Sequence, residues 1–112
     1  MRNLLSIACC LCVTFALKAF EFDKDVVYTK VGGKELKLDI MYTKGAKMRP
    51  LVICVHGGGW MGGHRSMYHS RMRKLAEQGY ATASVEYRFA PKTIWPKQIE
   101  DVQAAHRFLI KN

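Results

Sequence analysis

The stretch Leu51 to Gly63, LVICVHGGGWMGG, constrains this chain more than any other. Apolar residues run without interruption from Leu51 to Val55 and then meet His56, three glycines and Trp60. A short unbroken apolar run that ends in glycines reads as a strand followed by a sharp turn with a bare backbone, which lets a partner approach its N–H groups closely. Because Leu51 to Val55 shows no polar alternation, both faces of that strand are expected to be covered, as in a parallel strand of an α/β sheet.

The flanking sequence supplies the neighbours of that strand. Val26 to Val31 and Lys34 to Met41 read as strands joined at Gly32-Gly33, since a two-residue hairpin turn needs the positive φ that glycine adopts freely. In the second of them Leu36, Leu38 and Ile40 alternate with Lys37 and Asp39, which predicts one buried and one wet face. Beyond the glycine turn, Tyr68, Met72, Leu75 and Ala76 recur at helical spacing and Gly79 is a natural stop. Tyr80 to Tyr87 reads as a further strand and Arg88 to Trp95 as an irregular link. A last helix starts at Pro96, with Glu100 and Asp101 in its first turn and Ile99, Val102, Leu109 and Ile110 on one face. A hairpin followed by strand, helix, strand and helix defines an α/β architecture with a parallel sheet. The 112 residues suit one small domain. These elements are fewer than a doubly covered sheet needs, so the chain is expected to be the N-terminal piece of a longer protein.

The first residues read as a targeting segment. Met1-Arg2-Asn3 is a short basic start, Leu4 to Leu17 is apolar, and Ala19 offers a small residue ahead of Glu21, Asp23 and Asp25. Residues 1–19 are therefore expected to form a secretory signal peptide cleaved near Ala19, with a retained membrane anchor as the alternative, and the product is expected to be secreted or periplasmic without a stable membrane partner. Cys9, Cys10 and Cys12 fall inside this segment, so the four cysteines do not imply a disulfide framework, and Cys54 reads as a small buried hydrophobe. The net charge of +9 is spread along the chain, which reads as a solvated basic surface and not as a nucleic-acid site.

Three uses of the glycine turn are open from the residues alone. Bare N–H groups after a strand can donate to the oxyanion formed when a nucleophile attacks a carbonyl. They can hold a phosphate, although His56-Gly57-Gly58-Gly59-Trp60 matches neither the dinucleotide fingerprint nor the P-loop. They can also serve a purely structural turn. Around the turn, His64, Arg65 and His69 read as surface residues in preference to a metal site, because the spacing of the histidines does not suit one helical face. His106 reads as a core histidine within the last helix. Trp60 fits either a substrate pocket or packing. No cofactor or metal is expected.

Taken together, LVICVHGGGW, VEYRFAP at Val85 to Pro91 and WPKQIEDVQAAHRFL from Trp95 resemble the N-terminal half of an α/β-hydrolase of the hormone-sensitive-lipase and carboxylesterase type, which includes bacterial acetyl-xylan and feruloyl esterases. The resemblance runs from about Val26 to Asn112. It implies a serine hydrolase cleaving carboxylic esters, on a small-molecule or polysaccharide-linked substrate, with Gly58 and Gly59 as backbone oxyanion-hole donors and Trp60 as a rival to Gly58. It further implies that His56 and Gly57 are structural parts of the loop, that Tyr87-Arg88 matches a family YR pair, and that Arg88 makes an ion pair with Asp101. Such enzymes use a serine in G-x-S-x-G, then an acid and a histidine. Ser66 lacks the closing glycine and no other serine has a better context, so residues 20–112 are expected to stop before the nucleophile elbow and to be inactive alone. A serine peptidase or amidase of the same fold and a non-catalytic secreted binding protein are the alternative readings.

Overall fold

The computed structural model describes residues 19–45 and 48–112. The expected signal peptide, apart from Ala19, lies outside the described residues. The elements are β1 (Phe20–Val31), β2 (Lys34–Thr43), β3 (Leu51–Val55), a short 3-10 turn (Arg65–Tyr68), α1 (His69–Glu77), β4 (Ala81–Val85) and α2 (Lys97–Lys111). The expected order of hairpin, strand, helix, strand and helix is the one observed. Gly32 and Gly33 carry φ of 55° and 79° between the paired residues Val31 and Lys34, so this two-residue turn uses the conformation that favours glycine.

The sheet runs β1-β2-β4-β3. β2 takes β4 antiparallel on its second edge, from Leu38 opposite Val85 to Met41 opposite Thr82. β4 then takes β3 parallel, from Leu51 beside Ala81 to Val55 beside Val85. A parallel pair needs a long crossover, and the glycine turn with α1 provides it. One face of the sheet packs Tyr28, Leu36, Leu38 and Val85 against Ala105, Val102, Phe108 and Leu109 of α2. The other packs Met41 and Cys54 against Met72, Ala76 and Tyr68 of α1 and the turn before it. Leu36 and Leu38 have no exposed surface, and burying each contributes on the order of 2 kcal/mol.

Two expectations from the residue pattern need correction. The second face of β2 is not wet, since Asp39, Met41 and Thr43 are all buried. β2 is an interior strand, and the 3-10 turn and α1 cover the face opposite α2, so its alternation separates two interiors of different polarity. β3, expected to be covered on both faces, is an edge strand among the described residues, as is β1, with Leu51 37% and Val55 38% exposed.

The last helix also differs in which side it buries. Ile99 and Ile110 are 40% and 66% exposed, while Gln98, Asp101 and Ala105 are buried. His106 is exposed, not a core residue. Polar anchoring decides this orientation: the Gln98 amide donates to the Thr93 carbonyl at 2.8 Å and Asp101 meets Arg88. Pro96 is the residue before the helix instead of its first position.

Candidate active site

β3 delivers the chain to His56, and the backbone reverses before Arg65. Gly58, Gly59 and Trp60 have φ of 135°, 62° and 66°, and Gly63 has 112°. The Met61 N–H donates to the Gly58 carbonyl at 3.1 Å, closing a tight turn with Gly59 and Trp60 at its centre. Positive φ at both central positions is the mirror-image turn that glycine favours, and a tryptophan there costs about 1–2 kcal/mol. The third glycine of the motif is thus a conformational requirement, and in the pair Gly62-Gly63 it is the second, Gly63, that takes a positive φ. A methyl group on Gly58 would overlap the Gly62 carbonyl, and one on Gly63 would overlap the His56 ring and the Gly57 carbonyl. Gly57 has open space around it. Among the described residues, no acceptor is bonded to the N–H groups of Gly58, Gly59 or Trp60.

Both ends of the turn are fixed. At its start His56 is 2% exposed, stacked on Tyr87 with ring centroids 4.6 Å apart and met edge-on by Phe89 at 5.8 Å. His56 Nδ1 lies 2.9 Å from the Gly57 carbonyl, an acceptor, so Nδ1 carries the hydrogen. The Tyr87 hydroxyl donates to the His56 carbonyl at 2.8 Å, and burial pushes the Tyr87 phenol above its ordinary pKa, which keeps it a donor. A ring covered on its faces, with its hydrogen committed to the loop, supports the backbone beside it and has no open route to a substrate. Trp60 is tied to the segment after β4 by the Ala90 N–H, which donates to its carbonyl at 2.9 Å.

At the far end Arg65 is 4% exposed. It donates to Asp39 through a short contact and to Asp25 at 2.7 Å, and its Nε lies 3.6 Å from a Glu86 carboxylate oxygen. His69 Nε2 bonds the second Asp39 oxygen at 2.7 Å, and the Ser84 hydroxyl donates to the Arg65 carbonyl at 2.8 Å. The guanidinium holds the Asp25 carboxyl below its ordinary range, chiefly through their hydrogen bond. The expectation that His64, Arg65 and His69 are all surface residues therefore holds for His64 alone. Arg65 is buried because three carboxylates from β1, β2 and the end of β4 converge on it. Sequence spacing carries no sign of this, since Asp39 and Arg65 are 26 positions apart.

The structure brings Arg88 and Asp101 together. The guanidinium donates from Nη2 at 2.7 Å and from Nε at 2.9 and 3.2 Å, and the Arg88 backbone N–H adds a bond at 3.0 Å. Asp101, expected in the first turn of α2, follows that turn, and the pair fixes the link after β4 onto the N-terminal part of the helix; its hydrogen bonds raise the already high Arg88 pKa. Ser66 is exposed, its hydroxyl lies 2.9 Å from His64 Nδ1, and its backbone N–H donates to the same nitrogen at 3.1 Å, which caps the 3-10 turn and makes no triad. Cys54 is half-buried and burial raises its thiol pKa, as suits a packing residue. Among the described residues, no group of three His, Cys, Asp or Glu side chains is placed to hold a metal ion.

Comparison with known proteins follows the same lines. Esterase B from Lactobacillus rhamnosis superposes with a TM-score of 0.68 at 30% identity, over 80% of this chain and 29% of its own. Esterase 2 of Thermogutta terrifontis gives a TM-score of 0.72 over 79% of this chain and 33% of its own, and at 24% identity it speaks for the fold alone. In sequence, Esterase LipC of Mycobacterium tuberculosis is 40% identical over 60 residues, which is 53% of this chain and 15% of that protein. The mixed sheet with its helices is thus part of an α/β-hydrolase fold of the esterase type. The BD-FAE family model matches residues 38–112, and the chain belongs to that family of esterase-type hydrolases. It spans 15% of the length of LipC and 29% of Esterase B.

Proposed function

We propose that residues 56–60 are the oxyanion-hole loop of a secreted serine hydrolase that cleaves carboxylic esters. The observation that carries this reading is the run of left-handed residues Gly58, Gly59 and Trp60, which leaves their N–H groups without a protein acceptor at the C-terminal end of a parallel strand. In the reaction, a serine hydroxyl attacks the ester carbonyl and the N–H groups of Gly58 and Gly59, with Trp60 as the rival to Gly58, donate to the oxygen that becomes negative. Collapse of that intermediate expels the alcohol and leaves an acyl-serine, which water hydrolyses. Preorganisation is the contribution of these residues, because the turn's shape is set by steric limits at Gly58 and Gly63 and needs no rearrangement as charge develops.

The serine, acid and histidine of such an enzyme come from outside residues 1–112, and these residues alone are expected to be inactive. Membership of an esterase-type family supports the ester over an amide as substrate. The test is hydrolysis of p-nitrophenyl acetate by the full-length protein, together with its sequence beyond Asn112. An intact G-x-S-x-G with turnover abolished by replacing its serine is the expected result. An intact elbow with no ester hydrolysis overturns the esterase reading, and glycine or alanine at the serine position points to a binding protein instead. Residues 1–19 are proposed to direct secretion, and the mature N-terminus of the exported protein, read by sequencing, is expected near Phe20.

A further inference from the structure

Trp60 is a residue that its own backbone does not favour. Its φ of 66° belongs to the region that glycine occupies freely, and its neighbours Gly57, Gly58 and Gly59 are all glycine. Its side chain must therefore do something that glycine cannot. The indole is half-exposed, and its neighbours are the Tyr87 ring at 6.0 Å and the Trp95 ring at 5.7 Å. Tyr87 is the same ring that stacks on His56 and bonds its carbonyl.

Trp95 stands just ahead of α2, on a segment tied down at several points. The Thr93 N–H donates to Phe89 at 2.9 Å, the Lys97 N–H to Ile94 at 3.1 Å, and the buried Gln98 amide to Thr93 at 2.8 Å. Arg88 and Asp101 anchor its two ends. Trp95 itself is 61% exposed, so its burial contributes little to the core. What it does contact is the one side chain of the turn that holds an unfavourable backbone.

We propose that Trp95 is a positioning residue for the glycine turn: from just ahead of α2 its indole braces Trp60, and through the Trp60 Cα it fixes the direction of the Trp60 N–H. This rests on the oxyanion reading for its catalytic consequence, but not for its structural one. The Met61 N–H on the Gly58 carbonyl holds the peptide before Gly59 and the Ala90 N–H on the Trp60 carbonyl holds the peptide after Trp60, while the ring contact holds the Trp60 Cα, to which the intervening peptide with the Trp60 N–H is joined. A peptide with no hydrogen bond of its own rocks freely unless the Cα atoms at its ends are held. An ordered N–H serves an oxyanion only when its direction is set before charge develops.

The experiment uses the full-length protein with Trp95→Ala, Trp95→Leu and Trp95→Phe, each checked for native circular dichroism, and reads both hydrogen exchange of the Met61 and Ala90 amides, which are bonded within and onto the turn, and steady-state hydrolysis of p-nitrophenyl acetate and butyrate. Trp95→Ala and Trp95→Leu are expected to accelerate exchange in the turn about fivefold or more. They are expected to lower kcat about tenfold for both esters with little change in KM, and Trp95→Phe, which restores a ring, to recover most of both losses. Trp60→Gly, which relieves the backbone but removes the handle, is expected to loosen the turn as well.

Unchanged exchange in Trp95→Ala overturns the proposal whatever the kinetics. A change confined to KM that grows with acyl length also overturns it, making Trp95 a wall of the substrate pocket. If the wild-type protein hydrolyses neither ester, the esterase reading falls, and exchange alone decides whether Trp95 braces the turn.

Discussion

At the scale of single residues, the glycines of the turn are not equivalent, although the sequence writes them alike. Gly58 and Gly63 are closed to any side chain by the Gly62 carbonyl and by His56, whereas Gly57 has an ordinary φ and open space. Gly58→Ala in the full-length protein is expected to lower kcat about 10²–10³-fold, the loss seen when an oxyanion donor is displaced. Gly57→Ala is expected to stay within a few-fold of wild type, and an equal loss from both would show that the turn tolerates no change of any kind. The motif in the sequence identifies the loop, and the identity of its constrained members follows only from which backbone atoms face one another.

At the scale of elements, the loop is held as a bridge between two abutments. Its entry is fixed by His56 and Tyr87, its exit by Arg65. Asp39 is fully buried and Arg65 nearly so, and removing one member of such a pair strands the other charge at a cost of about 3–5 kcal/mol. Asp39→Ala and Arg65→Met are each expected to lower the urea midpoint by an amount of this order. The double variant is expected to be less destabilised than the sum, because the two most buried charges leave together, and strict additivity would remove the pair from the account of what fixes the loop's exit. The Arg88–Asp101 pair does for the following link what Arg65 does for the turn. Arg88→Lys keeps the charge but loses the two-pronged geometry, so it is expected to destabilise the protein measurably despite its conservative appearance.

At the scale of the whole molecule, burial and the open sheet edge make opposite contributions. Tyr28 is buried and its hydroxyl donates to the Glu86 carbonyl at 2.6 Å. Burial first, then the Asp101 and Glu86 charges, raise its pKa above the ordinary value of about 10. Tyr87 shifts the same way through burial. A raised folded-state pKa means that stability is complete below the unfolded value and falls as pH rises through the folded one, because the unfolded chain sheds a proton that the native state keeps. The urea midpoint is therefore expected to fall above about pH 10, with two tyrosines titrating late in the absorbance change near 295 nm. The edge of β3, with Leu51 and Val55 exposed beside unpaired backbone, is a template for further strand pairing. Purified residues 20–112 are expected to self-associate in sedimentation velocity, and a monomer with a sharp two-state melt would show that the exposed edge is no liability.

The sequence by itself determined the element order, the hairpin turn at Gly32-Gly33 and the location of the glycine loop, because these depend on local periodicity and on the freedom of glycine. It also carried the family, through motifs whose order and spacing are linear properties. The tertiary structure alone decided which charges are buried. Asp39 alternates with leucines in a pattern that reads as a wet face, and Arg65 sits in a basic stretch that reads as surface, yet the two meet inside the molecule. Nothing local encodes that meeting, since it exists only when β2, β4 and the exit of the turn are brought to one place. The same holds for Trp60, whose indole meets rings from just after β4 and just before α2. Periodicity reports what a segment does with its own neighbours, and the site is made where segments distant in sequence share a neighbour.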